Sequence, residues 1–205
     1  MALFIPTYFS PISQYAFITR ADNITFELED NFQKQTYRNR CYIYGANGKL
    51  SLNIPIKHRS SVGRKKTKDT LVENDFPWQS QHFKSLKAAY RSSPYFEFFE
   101  EDIFKIFNKK YVYLVDLNID TYLFVTDALQ ISQDFSRTNQ YEITPLAGDY
   151  RDFSIAKSGS ISIEMDTYTQ MFDDKHGFIS NLSILDLLFM EGPNALTLLD
   201  TVRLL

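Results

Sequence analysis

The chain has 205 residues, a formal net charge of −3 and 16% aromatic side chains. Eighteen Phe and thirteen Tyr exclude a disordered chain, because that much apolar area offsets the entropy of ordering. Lys and Arg together number 22 against 25 Asp and Glu, which excludes a protein that grips nucleic acid over its whole surface and leaves only a local basic patch.

Cys41 is alone, so an intramolecular disulfide and a cysteine-held zinc are both ruled out. No apolar run approaches the roughly 18 residues of a membrane-spanning helix. Met1 to Ser10 lacks a cationic leader and carries Pro6 where an apolar signal core would sit, so a cytoplasmic location is expected.

Leu3-Phe4-Ile5 stopped by Pro6 predicts a buried strand and a turn. Pro11 to Ile18 has proline at a helix start and apolar residues Ile12, Tyr15, Ala16 and Ile18 on one face. Ile24 to Glu29 alternates with strand period. This strand-helix-strand unit opens an α/β sheet. Arg40 to Tyr44 and Lys49 to Ile54 flank Gly45-Ala46-Asn47-Gly48, which predicts a β-hairpin that Pro55 ends.

Lys57 to Lys68 is a basic connector without an acid. Helices are then predicted over Trp78 to Tyr90, over Phe96 to Lys110, and from an N-cap at Asn118 through Leu129. Tyr141 to Ile143 and Ile161 to Met165 read as short strands. Asn181 or Ser183 caps a further helix that Gly192-Pro193 stops, and a terminal helix follows from Asn194. The expectation is a mixed α/β fold: a central sheet with an early strand-helix-strand unit and a hairpin, then a largely helical half. One domain over 1–205 is expected, with 135–182 a candidate looser subregion.

Candidate site residues follow from charge and chemistry. The Ser60 to Lys66 stretch offers hydroxyls, a glycine and the cations Arg64, Lys65 and Lys66 beside Lys57, a set able to hold phosphate by charge-assisted bonds. The alternative is a solvated loop, and no P-loop pattern is present. Arg38 and Arg40 share a strand face with Asn39 opposite. They either clamp an anion together or pair with Glu27, Glu29 or Asp30. His82, one turn after Trp78, is the candidate general acid or base, because imidazole titrates near pH ~6.5; the competing reading is a structural histidine. His58 reads as a surface passenger and His176 as a turn residue. Tyr8 and Gln14 occupy the first strand-to-helix junction, where ligands of open α/β sheets bind, with core packing as the alternative. No motif names a cofactor or a metal, and carboxylate-bound Mg²⁺ stays open.

Pro6-Thr7-Tyr8-Phe9-Ser10-Pro11, Tyr15-Ala16-Phe17, Lys34 to Arg40 leading to Asn47-Gly48 and Ile54-Pro55, Trp78, His82, Ser85-Leu86-Lys87, Tyr90, Pro94-Tyr95-Phe96 and Asn181 to Phe189 with Glu191-Gly192-Pro193 together resemble the WbqC-like proteins. The resemblance implies a bacterial protein of O-antigen or related surface-polysaccharide gene clusters. It implies a transferase, with glycyl or other small acyl transfer to a sugar as the suggested reaction, and brings no catalytic residues with it. The expected partner is an anionic small molecule such as a nucleotide-sugar. The alternative is a non-catalytic module that binds nucleic acid or another anionic partner. Nucleotidyl transfer is a weaker option, because no His-x-Gly-His follows the first strand. Oligomeric state is not readable.

Overall fold

In the computed structural model, which describes residues 1–57, 65–131, 134–145, 148–157 and 161–205, the chain opens with strand β1 (Ala2–Phe4). All three of its side chains are buried, as a central parallel strand covered on both faces requires. Helix α1 (Ile12–Ile18) follows and buries all of its residues but Phe17. It leads to strand β2 (Ile24–Phe26), which pairs parallel with β1 in the register Ala2 to Ile24 and Phe4 to Phe26.

The hairpin lies where the Asn-Gly pair predicts it. Strand β3 (Arg40–Gly45) and strand β4 (Gly48–Asn53) pair antiparallel, with Gly45 opposite Gly48. Gly48 closes the turn at φ 93°, a left-handed value that costs glycine little. Helix α2 (Trp78–Tyr90) presents Trp78, His82, Leu86, Ala89 and Tyr90 inward, at the three- and four-residue spacing of one helical face. Helix α3 (Phe96–Asn108) does the same with Phe99, Ile103 and Phe107.

Helix α4 spans Leu114–Ala128 and so begins before the expected cap. Asn118 lies inside it, fully buried, and its amide donates to the carbonyls of Pro6 at 3.0 Å and Arg38 at 2.9 Å. It clamps two chain segments, a tertiary role that the local capping signal cannot reveal.

Strand β5 (Phe135–Arg137) and strand β6 (Gly148–Asp149) complete a parallel four-stranded sheet in the order β5-β2-β1-β6. Both edges of the central sheet thus come from the region expected to be looser. Tyr141 to Ile143 is not a strand, and Ile143 is 84% exposed. Within Ile161 to Met165 only strand β7 (Ile163–Glu164) forms. A short helix α5 (Asp173–His176) ends at Gly177 with φ 72°, which puts His176 at a turn. Helix α6 (Ile184–Glu191) is capped by the Ser183 hydroxyl, which accepts from the Leu185 amide, while the Asn181 side chain receives the Ser13 amide instead. Helix α7 (Ala195–Thr201) and strand β8 (Arg203–Leu204) end the chain, and β8 pairs antiparallel with β7. One apolar cluster of buried side chains extends from Ala2 to Val202. Among the described residues no helix is long and apolar enough to cross a membrane.

Candidate functional site

The sheet order places β2 on one side of β1 and β6 on the other. The chain moves outward from β1 through β2, then to β5, and later returns to the opposite flank. In open α/β sheets a crevice forms at such a reversal, outside the carboxyl ends of the strands. A polar pocket of about 560 Å³ lies there. Ile5 lines it just past β1, Glu29 and Asp30 past β2, and Asp149 and Arg151 at and past β6.

Among the described residues three ion pairs line this pocket. Arg38 is 3% exposed, and its Nη2 lies 2.6 Å from Asp30 Oδ2, while its Nη1 donates to Ser154 Oγ at 3.0 Å and Thr36 Oγ1 at 3.3 Å. Burial lowers the Arg38 pKa and Asp30 opposes that shift. Two atoms of this pair, Arg38 Nε and Asp30 Oδ1, are buried without a hydrogen-bond partner among the described residues. Lys66 bonds Glu29 Oε2, and Lys68 donates to Glu29 Oε1 at 2.5 Å. The two ammonium groups hold the Glu29 carboxyl below its ordinary range. Arg151 grips Asp149 with a two-pronged fork, Nε to Oδ1 at 2.8 Å and Nη2 to Oδ2 at 2.5 Å. This lowers the Asp149 pKa and raises that of Arg151. The Arg151 guanidinium also lies 5.1 Å from the centre of the Tyr141 ring.

Behind the pocket, Glu27 is fully buried and ties the ends of three segments together. Its carboxylate accepts from the Glu29 amide at 2.8 Å, the Thr138 hydroxyl at 2.7 Å and the Glu142 amide at 3.0 Å. The loop carrying Tyr141 is thereby fastened to the end of β2.

Of the residues expected from the sequence, Arg38 and Lys66 meet in this pocket. Both are paired with the carboxylates named as the alternative to anion clamping. Arg40 does not join Arg38: it is half-buried in β3 and donates to the Tyr42 hydroxyl at 3.3 Å. Arg38 lies before the strand, so strand alternation does not govern the two. Asn39 donates to the Ile54 carbonyl at 3.2 Å and fastens the hairpin base. Lys57 lies 3.9 Å from Glu73. Lys65 contributes its backbone carbonyl to the Phe32 amide at 2.7 Å. Arg64 and His58 lie outside the described residues.

His82, Tyr8 and Trp78 form a separate buried cluster. The Tyr8 hydroxyl is 2.9 Å from His82 Nδ1, the Asn53 carbonyl is 3.2 Å from Nε2, and the Trp78 ring packs edge-on at 5.3 Å. Burial pushes the His82 pKa down to about 4, opposed in part by the Asn53 bond. At neutral pH the ring is uncharged and both nitrogens are engaged. His82 does not line the crevice. Tyr8 is fully buried and its pKa is raised well above the ordinary value by burial, so it is a core residue and does not line the pocket. Gln14 is buried one layer beneath the junction, where it donates to the Ile5 carbonyl at 3.0 Å and accepts from the Thr7 hydroxyl at 3.0 Å. It positions the chain just after β1.

Asp149, Arg151, Asp152 and Tyr141 are among the pocket residues that sequence reasoning did not single out for a site. Their available signal was the acid-rich ending of β2, Glu27-Leu28-Glu29-Asp30, together with Asp149-Tyr150-Arg151-Asp152. Among the described residues no group of His, Cys, Asp and Glu is arranged to hold a metal ion.

The fold and pocket define a mixed α/β protein with a polar crevice at the reversal point of a parallel sheet. The chain belongs to the WbqC-like protein family, whose model matches residues 6–158. The matched span holds every pocket residue except Ile5. No curated protein and no solved structure is significantly similar to the chain.

Proposed function

We propose that this chain is a cytoplasmic transferase of bacterial surface-polysaccharide assembly and that it binds its sugar substrate in the crevice between the ends of β1 and β6. The observation that carries the reading is the pocket itself. It has the size of a small-molecule site, sits where the topology opens the sheet, and is lined by rigidly paired charges beside one aromatic ring. Paired carboxylates and guanidinium groups offer acceptors and donors at fixed spacing, which suits vicinal hydroxyls. The Tyr141 ring is about half exposed and offers a flat apolar face to a sugar ring. Family membership supports the polysaccharide setting, and transfer of a glycyl or similar acyl group is the reaction that setting suggests.

The phosphate-gripping role first expected of Arg38 and Lys66 receives less support, because both are already neutralised by carboxylates. The same pairing weakens the alternative of a polyanion-binding module, since Lys57, Lys66 and Lys68 all face acids.

Calorimetric titration with monosaccharides and with UDP- and dTDP-sugars tests the proposal. Binding is expected, and Arg151→Gln should weaken it about tenfold, the loss of one charge-assisted bond. Absence of binding to every sugar and sugar nucleotide, or full binding by Arg151→Gln, overturns it.

A further inference from the structure

We infer that the crevice between β1 and β6 receives a ligand with a free amino group, an amino sugar in its ammonium form, with Asp152 and Asp30 as the carboxylates that face it. The inference rests on the proposed sugar site and names its substrate class.

Charge bookkeeping within the pocket carries it. Among the described residues three cations line it, Arg38, Lys66 and Arg151, and each is matched by its own carboxylate, Asp30, Glu29 and Asp149. A fourth lining carboxylate, Asp152, is exposed, and its side chain has no ion pair or hydrogen bond among the described residues. Behind the wall, Lys68 pairs with Glu29, and buried Glu27 lies near Arg151. An incoming phosphate would meet guanidinium and ammonium groups already ion-paired, with the buried Arg38 Nε the one donor of the three pairs left unpartnered among the described residues, plus an unpaired Asp152. An ammonium meets the opposite: an uncommitted acceptor and a field of matching sign.

A second observation is independent of the charge count. Asp30 is 7% exposed, lines the pocket and leaves Oδ1 buried and unpartnered among the described residues. A buried carboxylate oxygen without a donor is costly, and proteins keep such groups where a ligand or water completes them. An ammonium carries three donors and no acceptor, the complement of carboxylate oxygens. A divalent cation fits less well, because the described residues hold no ligating cluster of three.

Binding of glucosamine, N-acetylglucosamine, glucose and UDP to the full chain, followed by ligand-observed NMR and calorimetry, tests the inference. Glucosamine is expected to bind about tenfold tighter than its N-acetylated form or glucose, the effect of one charge-assisted contact. Asp152→Asn is expected to bring glucosamine binding to within about twofold of its N-acetylated form while leaving the circular dichroism spectrum unchanged; Asp152 is exposed, so folding is retained. Equal or tighter binding of N-acetylglucosamine overturns the amine and leaves the sugar site standing. Binding of UDP that strengthens in Asp152→Asn overturns it in favour of a phosphate pocket. Failure of all three sugars to bind overturns both this inference and the reading on which it rests.

Discussion

Two buried aspartates contrast sharply. Asp186, on α6, is fully buried, and its carboxylate accepts from the Tyr90 hydroxyl at 2.6 Å, the Tyr168 hydroxyl at 2.6 Å and the Gln170 amide at 2.9 Å. Burial raises its pKa against the pull of those three donors. Asp30, in the β1–β6 crevice, has one oxygen held by Arg38 and the other unpartnered among the described residues. Saturation at Asp186 fastens the segment around Tyr168 and Gln170 onto α2 and α6. Incomplete satisfaction beside a cavity is what the proposed ligand would complete. An unpartnered atom alone does not carry that meaning: the buried Trp78 Nε1 lacks a partner among the described residues too, and it does not line this crevice. It is the combination with the pocket that separates the two aspartates.

The largest effect is expected from breaking the saturated site. Asp186→Ala strands two tyrosine hydroxyls and an amide in the core, and chemical denaturation should report a loss of about 4 kcal/mol. A loss below about 1 kcal/mol would mean that the network is not structural. Arg38→Met comes next, at about 3 kcal/mol, because it leaves Asp30 buried and unpaired. The double change Arg38→Met with Asp30→Leu should recover much of that loss, since removing both partners is far cheaper than removing one. No recovery would place the cost in packing.

His82 supplies a pH-dependent test. Its folded pKa of about 4 lies below the ordinary 6.5, so the unfolded chain binds the extra proton between these values. The stability it lends is therefore complete above pH ~6.5 and is lost as pH falls toward ~4, by up to about 3 kcal/mol. Denaturation midpoints over that range should fall less steeply in His82→Gln, and parallel slopes would show an exposed, ordinary imidazole. The smallest effect belongs to Asp152→Asn, expected to change stability by less than about 0.5 kcal/mol. A larger loss would make Asp152 part of the framework and set it beside Asp186.

These contrasts also explain what could be read early. Helix α2 was legible to the residue because its inward positions recur at helical spacing and proline stands at both flanks. The hairpin was legible because Asn47-Gly48 demands a tight turn. Strands β5 and β6 were not, since two or three residues carry no periodicity, and their pairing depends on partners more than a hundred positions away. Asn118 looked like a cap because its local surroundings are those of a cap. The crevice was half legible: Arg38 and Lys66 were named from their charge, but Asp149, Arg151 and Asp152 sit in a polar stretch with no pattern of its own.

Composition and short-range periodicity by themselves determined that this chain folds around an aromatic core, with an α/β beginning and a helical middle. Only the tertiary structure decided which flank of β1 each edge strand occupies, and hence where the sheet opens. It also decided that the basic residues arrive there already matched to acids. The physical reason is that hydrophobic spacing acts within a few turns of chain, whereas hydrogen-bonded pairing of short parallel strands and the neutralisation of buried charges act between segments that meet only on folding.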